Sequence, residues 1–266
     1  MKGRTTDGNP APRTAAVIPI LNEAATIQGV IENVRRHVDH VVVVDDGSTD
    51  ESANLAHATG ATVLLHDRNL GKGAALQTAL RWAKGQPDLE HLVLIDGDGQ
   101  HDPADIERLI QELRRAKLDI LVGSRFLGTN NAPLYRLFGL HVLSASAALG
   151  SGVRLTDSQS GYRVLSHRAI DRLQLTQQRF AVESEMQFEA AKRGLRMGET
   201  PISIRYEAPA RRSPVVHGVS VLLATIGMTA RRRPFRLPRL VAAPVLATRI
   251  ARTRSNEKRP SGREVD

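Results

Sequence analysis

Apolar runs and amphipathic stretches alternate along the first half of the chain. The runs are rich in β-branched residues and too short for helices, which is typical of buried strands. We expect strands at residues 15–20, 40–44, 62–65, 92–95 and 119–122. Between them, apolar residues recur at helical spacing, as at Ile27, Ile31 and Val34. The alternation predicts an α/β domain that has a mainly parallel, Rossmann-like sheet with helices on both faces.

The second half of the chain has a less regular pattern. A helix rich in small residues is expected at about 134–149, and a polar turn then leads into a short strand. A helix at about 183–192 carries three glutamates, and a last strand follows at 195–204. The glutamates are typical of a solvated face, an interpretation that we apply to Glu189 but not to Glu183.

Charge is distributed unevenly between the body of the chain and its tail. Residues 211–266 hold 13 of the 37 Lys and Arg but only 3 of the 28 Asp and Glu, so the net charge of +9 comes from this tail. Within the tail, residues 215–230 carry no formal charge, and Arg231–Arg233 follow them. This stretch is shorter than the about 20 residues that span a bilayer, so we expect an interfacial helix. An anionic surface is the expected partner of such a tail.

The ends of the chain and its composition narrow the class of protein. Residues 1–13 lack an apolar segment and are expected to form a disordered arm rather than a signal peptide. We place the main domain at 14–210 and the basic tail at 211–266. The absence of cysteine excludes disulfides and thiolate metal sites, and it fits a cytoplasmic protein. Aromatic residues form only 3% of the chain, which disfavours a module that stacks on nucleic-acid bases.

The predicted strand at 92–95 ends in an acidic turn. Asp96 and Asp98 are separated only by Gly97, and Gly99 and Gln100 follow. Two carboxylates at the end of a strand form a hard oxygen site that suits Mg²⁺ or Mn²⁺. Asp-Gly turns without a function are also common. Whether this motif indicates a metal site therefore depends on the charged groups around it.

Two other predicted strands also end in charged residues. Asp45 and Asp46 follow one of them, and Arg125 follows another. Because ligands gather at the carboxyl ends of strands in open α/β sheets, we expect these side chains on one edge. Lys72 stands in a Gly-Lys-Gly segment before a helix, where it could approach a phosphate. The sequence therefore predicts one polar site at this edge.

Local capping explains some of the polar residues nearby. Asn22 is placed to cap the first helix, and Ser48 or Asp50 to cap the second. Capping does not explain two adjacent aspartates at a strand end.

Taken in order, these motifs resemble those of the family 2 glycosyltransferases, in particular the branch of polyprenyl-phosphate enzymes that includes the dolichyl-phosphate mannose synthases. The matching segments are Pro19 with Asn22-Glu23, Val43–Asp50, Asn69–Ala75, Ile95–Pro103, Gly123–Arg125, Thr156–Arg163 and Pro201-Ile202. The resemblance covers roughly residues 15–213. It implies a GT-A fold, a single nucleotide-sugar-binding domain with a metal-binding DXD motif.

The resemblance also implies roles for individual residues. The residues expected to bind the nucleotide sugar are Pro19, Glu23, Asp45, Asp46, Lys72 and Asp96. The residues expected at the metal and diphosphate are Asp96, Asp98 and Gln100. The residues expected to bind the phosphate of an acceptor are Arg125 and Arg136. We therefore expect Mg²⁺ or Mn²⁺ as the cofactor.

The chain departs from the family pattern at two places. Gly97 stands where the motif commonly has Ala, a change between small residues that leaves both carboxylates in place. The usual late R-x-x-G-x-S-K segment is absent, and this chain instead offers Arg205, Arg211 and Arg212 in that region. Which of these arginines contacts the diphosphate stays open, and so does the identity of the sugar donor.

The resemblance implies an inverting transfer of a hexose from a GDP-mannose or UDP-glucose type of donor. A polyprenyl phosphate would need no general base because it is already anionic. A sugar hydroxyl would need a carboxylate as its base, and Asp157 is the first candidate and Glu183 the second. With a lipid phosphate, an orienting role for Asp157 is favoured. We expect Asp98, Arg125 and Asp157 to act in catalysis.

The basic tail favours a lipid acceptor and a peripheral position on the cytoplasmic face of a membrane. A soluble saccharide or small-molecule acceptor is the alternative. A nucleic-acid-binding protein that uses the arginine-rich tail is a weaker alternative, because residues 1–210 are nearly neutral in sum. No specific nucleic acid is expected as a partner, and the oligomeric state is left open.

Overall fold

The structure is a computed structural model. It describes residues 13–127, 134–177 and 181–203, together with 223–225, 227–228 and 241–242 in the tail. For residues 134–142 and 241–242 it describes the backbone alone. The expected arm at 1–12, most of the expected interfacial helix at 215–230, and the arginines at 205, 211 and 212 lie outside the described residues.

Nine strands are described. They are β1 (Arg13–Ile20), β2 (His40–Asp45), β3 (Thr62–Leu65), β4 (Leu89–Leu94), β5 (Ile120–Ser124), β6 (Val153–Arg154), β7 (Arg163–Ser166), β8 (Met197–Pro201) and β9 (Val241–Ala242). Seven helices are numbered with them. They are α1 (Ile27–Val34), α2 (Ser52–Ala58), α3 (Lys72–Lys84), α4 (Asp105–Arg115), α5 (Leu134–Ser151), α6 (His167–Arg172) and α7 (Val182–Lys192).

Seven of the strands form one sheet in the order β3-β2-β1-β4-β7-β5-β8. All neighbouring pairs are parallel except those of β7, which lies antiparallel between β4 and β5. The prediction of a mainly parallel sheet is confirmed. β2, β1 and β4 are adjacent, so their carboxyl ends lie side by side. The second sheet is small and pairs β6 with β9.

The sheet packs against helices on both faces, as predicted. The side chains of β2 alternate between the two faces, so Val42 and Val44 join one apolar cluster and Val41 and Val43 the other. This explains why β2 reads as a continuous apolar run, since a strand covered on both sides has no solvent face. α3, α6 and α7 contribute to the first cluster, and α1, α2 and α4 contribute to the second.

Four details differ from the prediction. Arg13, placed in the arm, is the first residue of β1. The last strand is shorter than expected, since β8 ends at Pro201. α6 was not predicted, although Ser166 caps it by accepting a hydrogen bond from the Ala169 N–H. The glutamate-rich helix α7 is almost wholly buried, and Glu189 is half-buried and paired with Arg193 at 2.7 Å rather than solvated.

Candidate active site

The turn after β2 anchors the loop that precedes α3. The Asp46 carboxylate is buried and accepts the N–H groups of Leu70 at 2.9 Å and Gly71 at 2.7 Å. It also lies 2.8 Å from Nδ1 of His66, whose Nε2 lies 2.9 Å from the Thr78 hydroxyl. Asp46 is thus fully engaged in shaping the loop. This geometry gives Asp46 a structural role in the loop, and its contact with a nucleotide stays a prediction.

Gly47 lets the same loop approach the strand end. Its φ is +74°, and a Cβ at this position would lie 2.7 Å from the Cα of Arg68 and the N of Asn69. A side chain here would collide with backbone, which cannot move aside cheaply. Glycine is therefore required for the loop to reach Asp46.

Asp45 has a different environment from its neighbour. Its Oδ1 accepts the Ser48 N–H at 2.7 Å, which closes the turn. Its Oδ2 is buried and has no hydrogen-bond partner among the described residues. A buried carboxylate oxygen without a donor is costly, so this oxygen suits the N–H or hydroxyl group of a ligand. Asp45 is the predicted nucleoside contact that the geometry supports best.

The turn after β1 connects both acidic turns. Asn22 was expected to cap α1, but it has a left-handed φ of 58° and its side chain accepts the Thr49 N–H at 2.8 Å instead. α1 begins only at Ile27. The Thr26 hydroxyl donates to the carbonyl of Gly97 at 2.7 Å. The segment that contains Pro19 and Glu23 is therefore tied to the turns after β2 and β4.

Lys72 joins two carboxylates at the first turn of α3. Its Nζ lies 2.7 Å from Oδ1 of Asp96 and 2.9 Å from Oε1 of Glu183, so all three predicted residues come together. Burial opposes the charge of Lys72, but Asp96 and Glu183 together raise its pKa. Burial likewise opposes ionisation of Asp96, yet the charge of Lys72 and contact with His101 hold the pKa of Asp96 well below its usual range. The Lys72 ammonium therefore binds Oδ1 of Asp96, the first aspartate of the predicted metal-binding motif.

The other side of Asp96 is closed by groups that the sequence did not reveal. Nε2 of His101 lies 3.7 Å from Oδ2 of Asp96, and the His101 ring packs on Tyr162 with centroids 5.0 Å apart. Gly161 lies so close that a Cβ there would be 2.7 Å from Oδ1 of Asp96. The Tyr162 hydroxyl donates to the carbonyl of Asp102 at 3.1 Å. The segment before β7 therefore determines where this carboxylate points.

Asp98 is half-buried, and its Oδ1 accepts the Gln100 N–H at 3.0 Å. Within the described ranges, no group of three or more His, Asp or Glu residues is arranged to hold a metal ion. Asp96 and Asp98 nevertheless form a hard-oxygen pair, and the amide of Gln100 is near in sequence. Mg²⁺ commonly binds through one or two carboxylates and takes its remaining ligands from water and substrate phosphates. The donor set therefore fits a divalent ion that binds together with a diphosphate.

Two buried carboxylates hold Arg125 in place just after the end of β5. Asp157 is fully buried and accepts three hydrogen bonds from Arg125, from the backbone N at 3.0 Å, Nε at 2.7 Å and an Nη at 2.8 Å. Glu199 of β8 in turn accepts the N–H groups of Thr156 at 2.7 Å and Asp157 at 2.9 Å. Burial raises the pKa of Glu199. This arrangement fixes the guanidinium of Arg125 in place, which favours the orienting role of Asp157 over that of a base.

Arg163, the last residue of the Thr156–Arg163 motif, is buried. It donates to the carbonyls of Ser160 at 2.9 Å, Glu183 at 3.1 Å and Ser158 at 2.6 Å. Burial lowers its pKa, and the carboxylates around it oppose this shift. Arg163 thus joins the segment that contacts Asp96 to the start of α7.

Arg136 lies on α5, but its side chain is outside the described part of the structure. Its role at an acceptor phosphate stays a prediction. The same applies to Arg205, Arg211 and Arg212. The roles of the other site residues also stay predictions, although the fold brings Asp45, Asp96 and Arg125 to the same edge of the sheet.

The sheet order, the acidic turn after β4 and the cationic groups around it define a glycosyltransferase of the GT-A fold. The chain belongs to glycosyl transferase family 2, which it matches over residues 15–213.

Two relatives and one solved structure describe this similarity. The chain is 32% identical over 213 residues to the UDP-N-acetylglucosamine–dolichyl-phosphate N-acetylglucosaminyltransferase of Methanococcus voltae, covering 71% of this chain and 84% of that protein. It is 30% identical over 204 residues to the undecaprenyl-phosphate mannosyltransferase of Micrococcus luteus, covering 72% and 83%. Its fold matches glucosyl-3-phosphoglycerate synthase from Mycobacterium tuberculosis with a TM-score of 0.66, 22% identity and coverage of 83% and 81%. That synthase has also been crystallised with Mn²⁺, UDP and glucosyl-3-phosphoglycerate.

Proposed function

We propose that this glycosyltransferase moves a hexose from a nucleotide sugar to a polyprenyl phosphate, with inversion at the sugar. The observation that carries the proposal is that the carboxylates on the acceptor side are already engaged in hydrogen bonds or ion pairs. Asp157 is bound on both oxygens by Arg125, Glu199 accepts backbone N–H groups, and Glu183 is paired with Lys72. None of these three carboxylates is placed as an open general base.

An acceptor phosphate fits such a site because it supplies its own negative charge. The second pKa of a phosphate monoester is about 6, so the group is largely dianionic at neutral pH and is already a nucleophile. What it requires from the protein is a fixed cation. Arg125, held by Asp157, is such a cation, and an arginine can bind phosphate oxygens with two parallel hydrogen bonds.

The donor is proposed to bind across the carboxyl ends of β2, β1 and β4. Asp45 would accept a hydrogen bond from the nucleoside, with Pro19 and Glu23 on the neighbouring turn. Lys72 would meet the diphosphate, and Asp96, Asp98 and Gln100 would hold a divalent ion. When bound, Mg²⁺ or Mn²⁺ would supply Lewis-acid stabilisation of the leaving diphosphate. The contribution of the protein is then mainly positioning and preorganised charge.

The names of the two relatives support a lipid phosphate as the acceptor, since both are transferases that act on dolichyl or undecaprenyl phosphate. The donors named for relatives differ, so the sugar of this protein is left to the experiment. Complexes of the structural neighbour with UDP and Mn²⁺ support a nucleotide-sugar donor and a divalent ion.

The enzyme is also proposed to bind the cytoplasmic surface of a membrane through residues 215–239. Across the described part of the chain, no helix is long and apolar enough to cross a bilayer. An uncharged stretch followed by Arg231–Arg233 can lie in the interface and meet anionic head groups. Full-length protein with all three arginines changed to Gln should sediment less with anionic vesicles than the unchanged protein. Equal sedimentation would contradict this part of the proposal.

The test of the proposed activity is a radiolabelled transfer assay. Full-length protein, Mg²⁺ or Mn²⁺ and a short polyprenyl phosphate are incubated in parallel with GDP-mannose, UDP-glucose and UDP-N-acetylglucosamine. Metal-dependent transfer of label into the organic phase is expected with one donor and should be lost in Asp98→Ala. Nucleotide release without labelled lipid would overturn the lipid acceptor while keeping the donor site.

A soluble acceptor is the second candidate. The observation that favours it is the structural similarity to glucosyl-3-phosphoglycerate synthase, which has been crystallised with phosphoglyceric acid. Arg125 would suit the phosphate of such an acceptor as well. 3-Phosphoglycerate is therefore added as a further acceptor in the same assay, with label counted in the aqueous phase.

A further inference from the structure

A groove lies at the edge of the sheet opposite the candidate active site. It is formed where β1, β4 and β5 begin and where α4 and β7 end, and its volume is about 970 Å³. A strand of six residues such as β4 separates the two edges by about 20 Å. Ligand sites are commonly about 300–1,000 Å³, so this amino-edge groove is large enough for a nucleotide-sized molecule.

The amino-edge groove is lined by more cations than carboxylates. The charged residues that line it are Arg13, Arg114, Lys117, Arg168, Arg196, Asp88, Glu90 and Asp119. Arg13 pairs with Asp88 at 3.3 Å, and Arg168 pairs with Asp119 at 3.2 Å. The charges of these two pairs cancel within the groove.

Three cations of the groove are left over after this pairing. The side chains of Arg114, Lys117 and Arg196 make no hydrogen bond or ion pair with another described residue, and all three residues are exposed. Glu90 is the one carboxylate of the lining without a described partner. The uncompensated charge is therefore positive, although the body of the chain is nearly neutral.

Lys117 has a backbone conformation that other residue types usually adopt. It follows the end of α4 with a φ of 51°, in the left-handed region where Gly or Asn is preferred. Lysine at this position therefore carries a small conformational cost that Gly would avoid. Its position places an ammonium on the rim of the groove.

His91 supplies an independent polar group in the groove wall. It is 4% exposed, and its Nδ1 has no hydrogen-bond partner among the described residues. Burial and the charge of Arg114 lower the pKa of His91 to about 4, so its imidazole is neutral near pH 7. A neutral imidazole can donate one N–H, and a buried ring nitrogen without a partner is unfavourable. A small shift of the groove wall that brings this nitrogen to a ligand would therefore be favourable.

We propose that the amino-edge groove is a second ligand site that binds a phosphate-bearing molecule through Arg114, Lys117 and Arg196, with His91 as a hydrogen-bond partner. This site is separate from the glycosyltransferase site and does not depend on the acceptor assigned above. The phosphate could belong to a small soluble compound or to a lipid head group. Both offer the same chemistry to the three cations.

A simpler explanation exists for part of this surface. Basic residues are favourable in the last turn of a helix, where they interact with the helix dipole. That explanation covers Arg114 and also Arg115, which lies beside it on α4 but does not line the groove. It does not explain Arg196, which lies before β8, or the unpartnered nitrogen of His91. Arg115 therefore provides a matched control.

The test measures binding of pyrophosphate to the full-length protein by calorimetry, with EDTA present to exclude metal-dependent binding at Asp96 and Asp98. The groove variant is Lys117→Asn with Arg196→Gln, in which Asn tolerates the left-handed backbone. The control variant is Arg115→Gln with Arg36→Gln, which removes the same charge from outside the groove. Affinity should fall about tenfold or more in the groove variant and less than twofold in the control.

Sedimentation with phosphatidic acid vesicles is measured on the same two variants, each also carrying Arg231–Arg233 changed to Gln so that the tail does not contribute. A groove-specific loss of pyrophosphate binding with vesicle binding unchanged identifies a soluble phosphate compound, and a groove-specific loss of vesicle binding identifies a lipid head group. The histidine signals of ¹⁵N-labelled protein should include one that shifts with pyrophosphate or vesicles and is absent in His91→Gln. Equal binding by both variants, or no saturable binding by the unchanged protein, would overturn the proposal.

Discussion

The turns after β2 and β4 begin from the same pattern, a buried strand that ends in two nearby aspartates, yet they use their carboxylates differently. Asp46 is bound by two backbone N–H groups and His66, and these partners are fixed parts of the fold. Asp96 is bound by the Lys72 ammonium, a flexible side chain that can exchange one anion for another. A carboxylate at such a turn is therefore suited to ligands where its partner is a mobile side chain, as at Asp96, or where one oxygen lacks a partner among the described residues, as at Asp45. It is suited to structure where backbone N–H groups bind it, as at Asp46.

The largest expected effect is on the turn after β4. Asp98→Ala removes a carboxylate proposed to hold the divalent ion, so kcat/KM for sugar transfer should fall about a thousandfold or more. The melting temperature should change little, because the structure gives Asp98 only one local hydrogen bond, from the Gln100 N–H. Activity within tenfold of the unchanged enzyme would mean that this turn is not the metal site.

Gly161→Ala should have the next largest effect, because its new Cβ would press against the Asp96 carboxylate. We expect about a hundredfold loss of kcat/KM, measured with saturating Mn²⁺. Gly97→Ala is the matched control. Its Cβ would lie 2.8 Å from a methyl group of Ile20, a side chain that can shift, and this Ala is the residue common in the family motif. If Gly97→Ala were the more damaging change, the position of Asp96 would not depend on Gly161.

Asp46→Asn tests the structural carboxylate of the turn after β2. The amide cannot accept hydrogen bonds at both of its ends, so one of the N–H groups of Leu70 and Gly71 would lose its partner. The free energy of unfolding should fall by about 2–3 kcal/mol, measured by urea denaturation. The exposed neighbour Asp67 is the control, and Asp67→Asn should change stability by less than about 0.5 kcal/mol. Equal effects of the two changes would remove the distinction between the turns.

The smallest expected effect concerns the pH dependence of the Lys72–Asp96 pair. The pKa of Asp96 is lower in the folded protein than in the unfolded chain, whose value is 3.8. The pair therefore stabilises the fold fully above that unfolded value, and its contribution is lost as pH falls toward the folded pKa. In Lys72→Gln, the loss of stability between pH 6 and pH 3 should be smaller by about 1 kcal/mol, measured by urea denaturation at each pH. An unchanged slope would mean that Lys72 does not hold the charge of Asp96.

The elements of the fold were predictable because their signals are local. Strands such as β2 follow from β-branched runs, and helices such as α1 follow from the spacing of apolar residues. The placement of Asp45, Asp96 and Arg125 on one edge of the sheet also followed, since parallel strands place their carboxyl ends on one edge.

The partners of these residues were not predictable, because they depend on contacts between distant parts of the chain. Asn22 is a residue type that commonly caps helices, but its side chain binds the turn at Thr49. Glu183 was a candidate base, and only the packing of α7 against α3 reveals Lys72 as its partner. The roles of His101 and Glu199 are likewise set by segments far away in sequence. One signal was available for His101, which lies inside the acidic motif.

The antiparallel strand β7 has a consequence for the order in which the sheet can assemble. β1 to β4 are contiguous in residues 13–94 and can pair with one another as soon as that part of the chain is synthesised. β5 joins these strands through β7, and β7 pairs with β4 across a separation of 75 residues at His91 and Ser166. Pairings of such long range form slowly, because the intervening loop must close first. The half of the protein that carries Asp45 and Asp96 can therefore form during synthesis before the half that carries Arg125 is joined to it.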